Sequence, residues 1–277
     1  MLRPLRSIPL SALAVAALSA CADGTGVGGP HNVALNFQVT SSVLAAGASG
    51  PSAVGGPARV AGPALVLVGT NGTLTIEEIR LIVSEVELEK IDDSCLGDDD
   101  SVDDIGDSCE EFNAGPRFLD LLLDGQPVEV VTDLVPSGTY EELEFEIEDL
   151  EDDEDDSVEA ALIAAVRWQI LAVVPDWPDE ASALVTGSFA PTSGSPVDFR
   201  VFLKAEIEIE MELIPNLVIE GGVASRALTV DIQPDIWFTQ TGGSVLDLSQ
   251  YDYDATGQLL EFDVEFEDGF TKIEIED

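Results

Sequence analysis

The sequence predicts an all-β fold, an antiparallel β-sandwich of Greek-key type with one short helix near 157–172. Three observations predict it. First, "KAEIEIEMELIP" (204–215) sets Glu206, Glu208, Glu210 and Glu212 at every second position, with Ile207, Ile209, Met211 and Leu213 between them. A strand separates these sets onto two faces, whereas a helix would spread both around its circumference. Second, the same alternation recurs in "ELEFEIED" (142–149) and twice in "LEFDVEFEDGFTKIEIED" (260–277). Third, turn signals recur at hairpin spacing, and no strand-helix alternation supports a parallel sheet.

The acidic faces are affordable only if they stay wet. Glutamates two apart on a strand are about 6.7 Å apart and repel by roughly 0.6 kcal/mol in water. Burying the four apolar partners of 204–215 contributes about 6 to 12 kcal/mol. Burial wins while the carboxylates face solvent.

Taken in order, "NVALNFQVT" (32–40) turns Val33, Leu35, Phe37 and Val39 inward as a first strand. Residues 44–63 are Ala, Gly, Pro and Ser with almost no charge and read as a loop. "ALVLVGTNGTLTIEEIRLIVSEVELEK" (64–90) carries Asn71-Gly72, a hairpin turn that sets Leu67 opposite Ile76. Asp124-Gly125 marks a further hairpin in 118–131, and "VPSGTY" (135–140) a loop before the 142–149 strand. The helix over 157–172 has capping-box spacing at Asp156 and Glu159, an apolar face of Val158, Ala161, Leu162 and Ala165, and an end at Pro175. Two strands about a Pro/Ser/Gly turn follow (183–213), then a strand over 227–238 ending in Trp237 and Phe238. Asp268-Gly269 predicts a last hairpin, with Val264 opposite Ile273, Phe262 opposite Ile275 and Glu265 opposite Lys272.

The amino terminus reads as an address. "MLRPLRSIPLSALAVAALSAC" has Arg3 and Arg6, an apolar run and small residues, the layout of a secretory signal over 1–20. Its end, Leu18-Ser19-Ala20-Cys21, resembles the lipobox of bacterial lipoproteins. That resemblance implies that Cys21 is lipidated and becomes the first mature residue. Residues 21–31 would then be the lipidated cysteine and a flexible tether, and 32–277 the sandwich domain. Several acyl chains anchor stably to a membrane, and the same resemblance, with Ala22 rather than an aspartate after the cysteine, implies the outer membrane.

Composition restricts the partners. Acidic residues number 55 against 11 basic ones, a net charge of −44. Nucleic acid needs clustered Lys and Arg, so it is excluded, as is charge-driven binding to an anionic membrane surface. Apolar residues make up 45% of the chain, enough for a packed core despite the charge.

"EVELEK" (85–90), "FLDLLLDG" (118–125), "LVPSGTYEELEFEIEDLE" (134–151) and "LTVDIQPDIWF" (228–238) carry a second resemblance. In order and style they resemble a family of uncharacterised bacterial surface lipoproteins with a domain of unknown function. That resemblance implies a transthyretin-like or carbohydrate-binding-like β-sandwich. It brings no catalytic residues with it.

Cys95 and Cys109 are an even pair in an exported chain and read as a disulfide closing an acidic loop over 95–109. Within and beside that loop, Asp99, Ser101, Asp103, Asp107 and Glu110 fit positions 1, 3, 5, 9 and 12 of a calcium loop, with the Ile105 carbonyl at 7. Asp104 stands where such a loop needs glycine, and a solvated charged loop is the alternative. Trp168, Trp177, Trp237 and Phe238 could form an aromatic sugar platform, with Trp177, between Pro175 and Pro178, the exposed member. His31 is the only histidine and lies beside the tether, which argues against a serine or cysteine triad. With 55 acids, a glycosidase-like carboxylate pair carries no signal from sequence alone.

The expected function is a lipid-anchored, non-catalytic binding or structural module of the cell envelope. Its cofactor is none, or calcium, and its partner an envelope protein or polysaccharide. A calcium-dependent adhesion or carbohydrate-binding domain is the alternative, and a carboxylate-based hydrolase stands last.

Overall fold

The computed structural model describes residues 31–40, 44–45, 63–91, 112–150, 157–220, 225–262 and 264–276. Cys21, the Cys95–Cys109 loop and the calcium candidates Asp99, Ser101, Asp103, Ile105, Asp107 and Glu110 lie outside the described residues. In chain order the strands are β1 (His31–Val39), β2 (Leu44–Ala45), β3 (Ala64–Val68), β4 (Gly72–Val83), β5 (Val86–Lys90), β6 (Phe112–Ala114), β7 (Arg117–Asp120), β8 (Val128–Val135) and β9 (Gly138–Ile147). After α1 (Ser157–Val173) come β10 (Ala183–Pro191), β11 (Val197–Lys204), β12 (Ile207–Ile219) and β13 (Arg226–Ile232). The short helices α2 (Pro234–Phe238), α3 (Tyr253–Thr256) and α4 (Val264–Glu267) lie among the final strands, β14 (Leu260–Glu261) and β15 (Phe270–Glu276).

Three sheets form the predicted all-β sandwich. The first runs β15-β13-β1-β8, the second β14-β11-β10-β4-β3-β2 with β7 also on β4, and the third β12-β9-β5-β6. Pairing is antiparallel except at β1–β13 and β11–β14, which are parallel. Strands far apart in sequence become neighbours, as where β1 lies between β8 and β13. The second and third sheets share a bend. β4 continues into β5 through Ser84 and Glu85, where the Ser84 N–H donates to the Glu146 carbonyl at 3.0 Å and the Glu146 N–H to the Glu85 carbonyl at 3.1 Å.

The dry faces meet in one continuous core. Phe37 of β1, Phe145 of β9 and Phe270 of β15 pack with ring centroids 5.0 to 5.9 Å apart, which brings the first sheet against the third. Val33, Leu35, Phe37 and Val39 all point inward, as predicted. The opposite face of the second sheet is covered by α1, whose Ile163, Val166 and Ile170, with Val174 just past its end, bury Ile82, Leu184 and Phe202.

The helix has its predicted bounds but not its predicted face. Ala161, Leu162 and Ala165 are exposed, and the buried stripe is Ile163, Val166 and Ile170. Apolar residues lie on every side of this helix, so periodicity alone could not choose between faces.

Several turns also differ from expectation. β3 and β4 do form a hairpin, but Leu67 faces Leu74 and Ile76 faces Leu65, with Thr70 and Asn71 at the tip. The register is fixed from outside the hairpin: the Asn71 side chain donates to the Val245 carbonyl at 2.7 Å and accepts from the Val245 N–H at 2.9 Å. Asp124-Gly125 is a turn, with Gly125 at φ 76°, but its arms leave for different sheets, β7 to the second and β8 to the first. The run over 183–213 makes three strands rather than two. At the break, the buried Ser182 hydroxyl accepts from the Ala205 N–H at 2.8 Å and donates to the Leu203 carbonyl at 3.3 Å, which lets the chain leave β11 for β12. The nearly uncharged 44–63 segment contributes the short β2, paired with β3.

The carboxyl-terminal hairpin does not form. Residues 264–267 are helical, β14 joins β11 and β15 joins β13. The stretch assigned to a strand over 227–238 ends at Ile232, and Pro234 opens α2. One cluster explains both changes. Trp237 stacks on Phe266 at 4.3 Å and donates its indole N–H to the Phe266 carbonyl at 2.8 Å, while Phe262 packs on Phe266 and Phe238. Gly269 gives this indole its room, since a Cβ there would lie 1.8 Å from Trp237 Nε1.

Candidate functional site

The outer face of the third sheet is built by three strands that share one alternation. On the dry side, Val86, Phe145 and Ile209 form one cross-strand row, and Leu88, Leu143 and Met211 the next. The intervening residues must then line up on the wet side. Glu87, Glu144 and Glu210 form one row, Glu89, Glu142 and Glu212 a second, and Glu146 faces Glu208 in a third. Glu208, Glu210 and Glu212 therefore face other glutamates, not cations.

Opposed side chains on neighbouring strands are about 5 Å apart, and two carboxylates at that distance repel by about 0.8 kcal/mol in water. Partial burial, reinforced by this repulsion, raises the pKa of three of these carboxyls. Glu144 is pushed up to about 7, first by partial burial, then by a hydrogen bond shared with Glu208 and the charges of Glu208, Glu87 and Glu210. Glu142 is raised by burial and by Glu210, Glu89, Glu141 and Glu212. Glu146 is raised by burial and the charges of Glu85 and Glu208, against the pull of the Ser84 hydroxyl. At the β6 side the Asn113 amide donates to Glu85 and, at 2.8 Å, to Glu87.

Carboxylate oxygens of Glu144, Glu146 and Glu208 lie within 4.8 Å of one another. A hard cation takes six to eight oxygens, so these three would supply about half a shell and water the rest. The basic groups stand at the margins: Lys204 reaches Glu206 at 3.3 Å, and the Lys90 ammonium lies 5.8 Å from the centre of the Tyr140 ring.

Two comparisons return nothing: no family model and no curated protein matches the sequence. Among solved structures, MbnP from Methylosinus trichosporium is similar with a TM-score of 0.35 and 15% identity, over 73% of this chain and 75% of that one.

The aromatic platform is not assembled. Trp177 is 9% exposed, donates its indole N–H to the Ala181 carbonyl at 2.8 Å and sits edge-on to Phe118 and Phe202. Trp237 and Phe238 are buried in the cluster described above, and Trp168 on α1 is the exposed indole, at 75%. The turn around Trp177 is at the surface, with Pro175, Asp176 and Asp179 exposed, but the indole itself turns inward to pack beneath α1 with Ile170, Val174 and Phe202. Sequence reasoning recognised the glutamates as a wet surface but missed their opposition. The signal was present in the shared period of 85–90, 142–148 and 206–212. Which strands are neighbours was not.

Proposed function

We propose that this protein is a lipid-anchored, non-catalytic binding or structural module of the bacterial cell envelope. The Leu18-Ser19-Ala20-Cys21 sequence supports the anchor. The observation that carries the binding reading is the set of directly opposed glutamate rows on the third sheet. Such a face gains stability from whatever neutralises it, whether protons, cations or a cationic partner surface. A catalytic acid/base pair needs surroundings that drive its two pKa values apart. Glu142, Glu144 and Glu146 are all displaced upward by the same leading cause, which suits a charged contact surface better.

The test is capture from envelope fractions by the chain with Cys21→Ser, compared with a Glu208→Gln/Glu210→Gln/Glu212→Gln variant. The expected outcome is a retained envelope component that the triple variant loses. Hydrolysis of envelope polysaccharide by the purified chain would overturn the non-catalytic reading.

The grouping of Glu144, Glu146 and Glu208 favours the second reading, a calcium-dependent adhesion or carbohydrate-binding domain. Under it, calcium raises Tm more than magnesium or matched ionic strength. Equal effects from all three would leave only general screening.

A further inference from the structure

Two sheet edges face each other across an open groove. β12 ends the third sheet and β15 ends the first, and among the described residues no strand pairs with the outer side of either. The groove between them has a volume of about 540 Å³. Its walls are four consecutive residues of β12, Ile209 to Glu212, and four consecutive residues of β15, Phe270 to Ile273. Neighbouring strand residues point to opposite faces, so a groove lined by consecutive residues opens onto the backbone edges themselves. Such edges carry N–H and C=O groups able to pair with another strand.

Exposed edges are ordinarily blunted by short strands, prolines, bulges or charged side chains, lysine above all. β12 is thirteen residues long, and its register shift and Pro215 lie beyond Glu212, which leaves Ile207 to Glu212 defended by the charges of Glu208, Glu210 and Glu212, a defence that a basic partner neutralises. On β15 the one lysine, Lys272, is engaged by Glu274. Met211 and Ile273 are only half-buried where the groove opens, so the core is unsealed along this line. The exposed acids Glu210, Glu212, Glu267 and Asp268 stand around it.

These features select the occupant. Backbone edges call for an extended segment, half-buried Met211 and Ile273 for apolar side chains on one of its faces, and the acids for basic side chains on the other. A second copy of this chain, itself at −44, meets repulsion. We propose that the groove between β12 and β15 takes an extended segment of a partner protein, alternating apolar and basic residues, as an added strand. This rests on the reading of the domain as a binding module and names the chemistry of its partner.

The test is isothermal titration calorimetry on the full chain in detergent, with a peptide of about ten residues alternating Val and Lys, long enough to span the groove. A second peptide carries backbone N-methyl groups at alternate residues, and a third replaces Lys with Glu. The Val-Lys peptide is expected to bind, N-methylation to weaken it about tenfold or more through lost ladder bonds, and the Val-Glu peptide not to bind. Glu210→Gln/Glu212→Gln and Glu267→Gln/Asp268→Asn are each expected to weaken it severalfold, and Glu129→Gln on β8 to leave it unchanged. Equal binding of the methylated peptide would overturn strand addition, and unchanged affinity in both double variants would overturn this groove. Failure of every peptide would also overturn the proposal, while capture from envelope fractions decides the binding-module reading separately.

Discussion

Glu144 stands directly opposite Glu210 on the adjacent antiparallel strand, with Glu87 facing it from the other side. The consequence is an unusual stability profile. The Glu144 pKa rises from 4.5 to about 7 on folding, and Glu142 and Glu146 move the same way. Between those values the folded chain holds more protons than the unfolded one, so stability falls as pH rises through the window. Asp176 is lowered by Arg200, and its contribution disappears as pH drops through the folded value, below the ordinary 3.8. Thermal unfolding across pH 3 to 8 is expected to give a maximum at about pH 4, between the onsets of the two losses. By pH 8 the Tm should be about 2–4 °C lower, the scale of about 1 kcal/mol in a chain this size once solvent screening is allowed for. Glu144→Gln should flatten the upper limb, and a rise in Tm from pH 5 to 8 would contradict the account.

Gly187 lies where β10 shifts register against β4, and a Cβ there would meet the Thr75 carbonyl oxygen at 2.0 Å. That oxygen belongs to the backbone and cannot swing away. Gly187→Ala is expected to cost about 1–3 kcal/mol or more by denaturant unfolding. Gly115→Ala, whose Cβ would approach only the Leu162 side chain at 3.3 Å, should cost far less.

Tyr140 is fully buried just after the chain passes from the first sheet to the third, and its hydroxyl donates to the Pro136 carbonyl at 2.8 Å. Tyr140→Phe leaves that carbonyl without its partner and should cost about 1–3 kcal/mol. Burial pushes the Tyr140 hydroxyl up to about 12, so ultraviolet titration of the folded chain should show a phenol ionising well above 10 that is missing from the variant.

Arg200 forks between Asp176 at 2.5 Å and Asp254 at 2.6 Å, and its guanidinium lies 5.2 Å from the Phe202 ring centre. Both carboxylates are more than half exposed, so the ion pairs themselves contribute little. The stem and the ring contact contribute more. Arg200→Met should therefore retain more stability than Arg200→Ala in chemical denaturation, and the gap between them should persist in about 1 M salt, where the Debye length is only about 3 Å.

The sequence revealed whatever depended on one strand alone. Residues 207–213 alternate as read, because burial of Ile209 and Leu213 requires Glu208, Glu210 and Glu212 to stay outside. Legibility failed where a distant residue decided the outcome. Phe262 and Phe266 suit both a period of two and an i, i+4 helical pair. The choice fell to Trp237, whose indole needs the Phe266 carbonyl and the space left by Gly269. The candidate site failed in the same way. Each glutamate was visible, but that Glu212 faces Glu142 depends on which strands became neighbours, over a sequence separation no local pattern spans.

The three tryptophans have sorted themselves into two buried indoles and one exposed on α1. The molecule thus carries its own optical reporter. Emission from Trp168 should be red-shifted and readily quenched by acrylamide, while iodide, repelled by the polyanion, quenches it poorly. Trp177 and Trp237 should emit to the blue and stay dark to both agents until the sandwich opens, so native fluorescence alone can separate events at the helix surface from loss of the core.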